Sequence, residues 1–187
     1  MSPTTDLSHH PLFITQAMQI PLLTTFTCAA HLAGMATISG PNDVSGWVYF
    51  QQKGHKMSVT GEIRGLSPDQ EHGFHVHEFG DLSDGCMSTG AHYNPFGHDH
   101  GAPSDKNRHV GDLGNIKADA DGVAKIEIKD CLVRLCGQHS VIGRGVVVHE
   151  GTDDLGRGGY DDSKKTGHAG GRAGCGVIAY APLNMLD

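Results

Sequence analysis

The stretch Gly73-Phe74-His75-Val76-His77-Glu78-Phe79-Gly80-Asp81 constrains this chain more than any other. Its centre is a pair of histidines one residue apart. In an extended strand, residues i and i+2 face the same side. His75 and His77 therefore present two imidazoles together, an arrangement that suits copper or zinc. A lone His-x-His is more often a solvated strand pair, so the remaining histidines decide the reading. The chain has 14, as many as Lys and Arg together, and seven (His72, His75, His77, His92, His98, His100, His109) fall between positions 72 and 109. That crowding points to metal binding.

Around this stretch the sequence reads as short strands and turns. Met35–Ile38 is followed by the turn Gly40-Pro41-Asn42-Asp43, and Gly46–Gln51 is rich in β-formers. Lys53-Gly54 reverses the chain into Lys56–Ile63, which alternates in polarity. Leu66-Ser67-Pro68-Asp69 turns into the His-x-His strand. Further strands are expected at Asn115–Ala118, Val123–Ile128, Cys131–Cys136, Gly145–Glu150 and Gly176–Tyr180. Short strands at this spacing argue an antiparallel sandwich or barrel. Residues 80–115 and 151–174 break the rhythm as two long loops. Loops of that length inside a compact domain are usually functional. A metal or a disulfide must hold the first, because a sheet cannot satisfy its backbone.

The totals exclude several classes. A net charge of −7 disfavours nucleic acid and anionic membranes, and no apolar run is long enough to span a bilayer. The five cysteines (Cys28, Cys86, Cys131, Cys136, Cys175) include no Cys-x-x-Cys, which argues against zinc ribbons and thioredoxin-like redox motifs. An odd count leaves at least one thiol free. Residues 1–32 carry no Lys or Arg and read as an extension to a single domain spanning 33–187. Within it, Ile20–Ala30 resembles the apolar core and cleavage site of a secretory signal, but the positively charged start is missing. Two readings stay open: an extracellular protein with a cleaved signal, or a cytoplasmic protein with a loosely packed or disordered extension.

The candidate ligands come from separated segments: His75 and His77 on a strand, His92, His100, His109 and Asp112 in the long loop, and His149 at a strand end. Seven candidates suffice for two ions if one side chain is shared. The segments GFHVHEFGD (73–81), AHYNP (91–95), HGAPSDKNRHVGDLGN (100–115), GRGVVVHE (143–150), DDLGRGG (153–159) and KTGHAGGRAGCGVIA (165–179) resemble the copper/zinc superoxide dismutase family. The resemblance runs from about Ala33 to Tyr180. It implies an all-β Greek-key fold, a flattened eight-stranded barrel with two long functional loops.

The resemblance also implies a site. Copper would be held by His75, His77, His92 and His149, and zinc by His92, His100, His109 and Asp112, with His92 shared between them. Asp153 would join ligands of both ions from outside the coordination shell. Cys86 and Cys175 would form the disulfide that ties the first long loop to the last strand. Arg172 would attract the superoxide anion beside the copper, and His92 would hand a proton to the peroxide being formed. Thr166 and Lys165 would line the channel mouth. Phe79-Gly80, Ile142-Gly143-Arg144 and the last strand resemble the surface through which the family forms homodimers, and a copper chaperone is the implied partner for metal loading. Cys28, Cys131 and Cys136 match no family role and read as plain thiols. One departure falls inside a motif: His168 stands where the family usually has Asn. A non-enzymatic copper-chaperone-like or metal-storage relative of the same fold is the alternative reading.

Overall fold

A computed structural model describes residues 31–184; the signal-like stretch Ile20–Ala30 and Cys28 lie outside the described residues. The strands are β1 (His31–Ser39), β2 (Ser45–Lys53), β3 (Lys56–Arg64), β4 (Glu71–Val76), β5 (Ser83–Cys86), β6 (Asp112–Lys117), β7 (Ala124–Asp130), β8 (Gly145–His149), β9 (Arg172–Val177) and β10 (Ala179–Tyr180). They pair antiparallel in the order β6-β4-β8-β9-β1-β2-β3-β7, with β10 added against β1. The two ends of this row meet where Ala118 bridges Ala124, so the sheet curls into a nearly closed eight-stranded barrel. Leaving β3 for β4 and β7 for β8, the chain crosses the barrel. That is the Greek-key topology expected from the resemblance.

The alternation read from the sequence is the inward face. Ala36 and Ile38 of β1, Val48 and Phe50 of β2, Met57, Val59 and Ile63 of β3, and Ala124 and Ile126 of β7 enclose the core with Phe74, Val146 and Val148. Removing such apolar area from water supplies the main driving force for closure. β8 is buried on both faces, because the long loops cover its outer side. That covering lets a strand end on His149 away from solvent.

Four expectations differ from the structure. The expected strand Cys131–Cys136 is a series of bends. The Asp130 carboxylate accepts hydrogen bonds from the Leu132 and Val133 amides (2.6 and 2.7 Å), and the Leu135 amide donates to the Gln52 side chain (2.7 Å). Val133 and Leu135 are buried, so their alternation is real, but side chains rather than a ladder satisfy the backbone. The last strand starts earlier than Gly176. β9 begins at Arg172, inside what reads as loop: Gly174 looks like a turn residue, but it is a close-packing position where a Cβ would run into the Val44 and Ile38 side chains. The first long loop contains β5 and a single 3-10 turn, Met87–Thr89, and gives way to β6 at Asp112. Finally, β4 stops at Val76, so His77 lies just beyond the strand, where it bridges His92.

The Cys86–Cys175 disulfide is present and ties the end of β5 to β9. Cys131 carries an exposed free thiol, as expected, whereas Cys136 is disulfide-bonded and not the plain thiol it resembled.

Arg108 is a second tie, unmarked in the sequence. It is 2% exposed and pairs with Asp130 at the end of β7. Its Nη1 donates to the carbonyls of His109 and Asp112, both at 3.0 Å. Asp130→Asn should keep the backbone contacts but leave a buried, unpaired guanidinium. The expected loss is about 3 kcal/mol, measured by denaturant unfolding of the metal-free protein. A change under about 0.5 kcal/mol, the range of ordinary surface substitutions, would show that the pair is not needed.

Candidate metal centre

Three backbone contacts replace the ladder where β4 ends. The Val76 amide donates to Gly111 (2.9 Å), Tyr93 to Val76 (2.8 Å) and Gly111 to Tyr93 (3.0 Å). These bonds stitch the segments carrying His77, His92 and Asp112 side by side. β8 pairs with β4, which brings His149 over the same spot. All seven candidate ligands and Asp153 are buried.

The ring nitrogens of His75, His77, His92 and His149 converge, and those of His92, His100 and His109 converge with the Asp112 carboxylate; in each group the ligand atoms lie within 4.8 Å of one another. His92 is common to both. His75, His100 and Asp153 form a third such group between them.

Each imidazole is tied at one nitrogen. His77 Nδ1 donates to the Gly90 carbonyl (3.0 Å) and His149 Nδ1 to Gly170 (3.3 Å). Their Nε2 atoms then face each other at 3.3 Å. His75 Nε2 is held by Asp153 Oδ2 (2.9 Å), which leaves Nδ1 buried and without a partner. His92 Nδ1 meets Asp112 Oδ1 (3.0 Å), and its Nε2 is likewise buried and unpartnered. Four imidazoles thus aim a free nitrogen at one point. Buried polar atoms left this way are costly, and a transition-metal ion that imidazole suits, such as copper, is the group that would relieve them.

The second group fits a cation equally well. Nδ1 atoms of His92, His100 and His109 lie 3.0, 2.9 and 3.1 Å from the single oxygen Asp112 Oδ1. The His100 contact lacks hydrogen-bond geometry. Asp112 Oδ2 accepts from the Gly101 and His109 amides. Three imidazoles and one carboxylate match the ligand preferences of zinc. Asp153 spans the two groups, with Oδ1 at 2.8 Å from His100 Nε2 and Oδ2 on His75. It is fixed in turn by Asn115, whose side chain bonds both the Asp153 amide (2.7 Å) and carbonyl (2.9 Å).

The protonation states favour coordination. Burial, then the neighbouring His92, pushes His75 and His77 well below the ordinary histidine value and His149 down to about 4. These rings are neutral at neutral pH. Burial also lowers His92. For His100 burial is outweighed by Asp112 and Asp153, which hold it up to about 9. Burial opposes ionisation of Asp112 and Asp153, but the close His100 imidazole, packed against Asp112 and hydrogen-bonded to Asp153, leads the contacts that keep both far below the usual carboxylate range.

Arg172 opens β9 next to this cluster. It donates to the carbonyls of Cys86, Met87 (3.2 Å) and Gly90 (2.6 Å) and to Thr89 Oγ1 (2.8 Å). Its charge helps depress His77 and His149. Lys165 and Thr166 stand exposed on the one-turn helix α1 (Ser163–Thr166), where Thr166 Oγ1 bonds to the Asp162 carbonyl (3.3 Å). His98 joins neither ligand group; its backbone is clasped by the Asn94 side chain. Sequence reasoning missed Asn115 and His72. His72 is buried, with Nδ1 donating to the His149 carbonyl (2.8 Å). It stands among the crowded histidines of 72–109, but nothing in its polar surroundings, Asp69-Gln70-Glu71, marks a role distinct from theirs.

The sequence matches the family described as copper/zinc superoxide dismutase (SODC) over residues 44–178. It is 58% identical over 146 residues to a protein of Candida glabrata, 54% to one of Yarrowia lipolytica and 52% to one of Candida albicans, each named "Superoxide dismutase [Cu-Zn]". Each alignment covers 77% of this chain and 95% of the relative. With the barrel, the two ligand groups and these relatives in agreement, the chain belongs to the copper/zinc superoxide dismutase family.

Proposed function

We infer that this protein is a copper- and zinc-dependent superoxide dismutase, converting two superoxide anions and two protons into molecular oxygen and hydrogen peroxide. The observation that carries this reading is the pair of buried ligand groups sharing His92. Copper, held by His75, His77, His92 and His149, would supply one-electron redox chemistry, while zinc, held by His92, His100, His109 and Asp112, has none. The chain's own residues do the rest. Gly90, Gly170, Asp153 and Asp112 fix the imidazole orientations, as outer contacts of metal ligands do. The Arg172 guanidinium, anchored on four oxygens, offers a positive charge and free donor surface to a small anion. That local charge matters because the chain carries −7 overall and repels superoxide at long range. His92, with Nδ1 on Asp112 and Nε2 toward the copper group, is suited to pass a proton to the product. Lys165 and Thr166 would form the channel mouth. The test is metal analysis of the purified protein together with a superoxide-decay assay: one copper and one zinc per chain with fast decay are expected, and full loading without decay would overturn the reading.

The catalytic unit runs from about residue 33, with 1–32 as an extension. It pairs as a homodimer through Phe79-Gly80, Ile142–Arg144 and the β9–β10 edge. Supporting this, the Phe79 ring is 51% exposed, and the Gly143 amide donates to Ile178 (2.7 Å), which joins these segments into one face. Because the ligand nitrogens are buried, a copper chaperone is the fitting partner for loading.

Zinc uptake should release about one proton per chain near pH 7. In the metal-free chain His100, held up to about 9, carries both ring hydrogens at that pH, and Nδ1 must lose one to bind. The release should vanish above pH 9. Titration calorimetry in two buffers of different ionisation enthalpy measures it; equal heats in both would refute it. The same shift makes His100 a stabilising group for the metal-free fold below pH 6.5, lost as pH rises through 9. His149, depressed to about 4, acts oppositely: its stabilisation is lost as pH falls from 6.5 to 4.

A further inference from the structure

We propose that His168 is a positioning residue, latched by Asp162 and Tyr160 so that Gly167 is held against the carboxylate that joins the two metal groups. The proposal rests on the reading of Asp153 given above. The His168 ring stacks on Tyr160, with centroids 3.8 Å apart and 12° between planes. Its Nδ1–H donates to Asp162 Oδ1 at 2.8 Å. This bond is also the leading cause of the lowered Asp162 pKa.

Asp162 is where α1 starts. Its carbonyl accepts from the Lys165 and Thr166 amides at 2.9 and 2.8 Å. A helix of one turn has no stability of its own, so α1 depends on such outside contacts. Several bind it to the metal centre. The His100 amide donates to the Lys164 carbonyl (2.9 Å), the Asp154 amide to the Gly167 carbonyl (2.8 Å), and Ser163 Oγ to Asp154 Oδ2 (2.5 Å). Gly167 closes the helix with φ +65°, and a Cβ there would run into Asp153 Oδ1 and His100 Nε2. The backbone at Gly167 therefore covers the bridging carboxylate directly. His168 follows at φ +53°, a left-handed conformation that costs free energy outside glycine and persists only where the surroundings fix it. The stacked Tyr160 and the Asp162 bond are those surroundings. They close residues 160–168 into a loop whose two ends are clasped, with the Lys164 carbonyl on the His100 amide and Gly167, beside the clasp, against Asp153.

The test uses the full-length, metal-loaded protein and the variants His168→Leu and His168→Asn. Leu keeps the bulk but removes the hydrogen bond and the aromatic stack. The Asn amide nitrogen reaches the position of His Nδ1 and keeps the bond. Two readouts are taken: amide hydrogen exchange at Lys165, Thr166 and Gly167, and the rate of zinc release into a chromophoric chelator. In His168→Leu, exchange should quicken about tenfold, as expected for a lost hydrogen bond. Zinc release should also quicken about tenfold, the lower end of what disturbed outer contacts of metal ligands cost. In His168→Asn both should stay within about twofold of the parent, since the bond is retained and Asn tolerates without the stack the positive φ that His168 adopts. Unchanged exchange in His168→Leu overturns the latch. Faster exchange with unchanged zinc release overturns the positioning role. If the parent takes up no zinc, the metal reading of the site falls, while the exchange measurement still decides the latch.

Discussion

Replacing His149 by Ala should reduce superoxide decay to less than about one hundredth of the parent rate while leaving zinc bound. Loss of an outer contact alone typically costs 10- to 100-fold in metal affinity or activity, and loss of a proposed copper ligand should exceed that. The separation follows from geometry. His149 Nε2 faces His77 Nε2 at 3.3 Å and belongs to the group with His75 and His92. The second group, His92, His100, His109 and Asp112, does not include it. The fold should survive, because the His149 contact to His72 uses the backbone carbonyl, which Ala retains. The measurement is copper and zinc content alongside activity. Activity surviving in a zinc-loaded, copper-poor variant would disprove the copper assignment. Loss of both metals would show that the two groups are not separable.

Replacing Cys86 and Cys175 together by Ser should lower stability by about 4–5 kcal/mol, the chain-entropy value for a loop closed across 89 residues. For a chain of this size the midpoint of thermal unfolding should fall by roughly 10–15 °C. Activity should fall as well, and for a separate reason. Every oxygen that anchors Arg172 comes from Cys86, Met87, Thr89 or Gly90, the segment that the disulfide pins to β9. Gly90 also orients His77. Loosening that segment displaces the guanidinium and one imidazole together, and displacements near 1 Å cost about 100-fold in rate. Thermal unfolding and kcat/KM below the new midpoint separate the two effects. A large drop in stability with unchanged kcat/KM would show that the Arg172 anchors hold without the bridge.

Much of the barrel was legible because burial on one face leaves a two-residue period in the sequence, as in β3 and β7. The same rule misread 131–136: Val133 and Leu135 alternate inward, but the Asp130 and Gln52 side chains take the place of a neighbouring strand. It also missed the start of β9, where glycine chosen for close packing looks like glycine chosen for a turn. The ligand residues were legible for a different reason. Imidazoles and carboxylates in this number and order are rarely needed for packing, so their presence carries chemical meaning. Arg108 and Asn115 left no such trace; a buried Arg and a clamp on backbone atoms look like surface residues until the chain is folded.

By itself, then, the sequence determined which side chains could hold metal and which family pattern they follow, because ligand chemistry resides in residue type and spacing. Tertiary structure alone decided which nitrogen of each imidazole is free, since that depends on which carbonyl or carboxylate takes the other: Gly90 for His77, Gly170 for His149, Asp153 for His75, Asp112 for His92. Those partners come from 13 to 78 positions away. No local pattern records them, because it is barrel closure that brings them within hydrogen-bond reach.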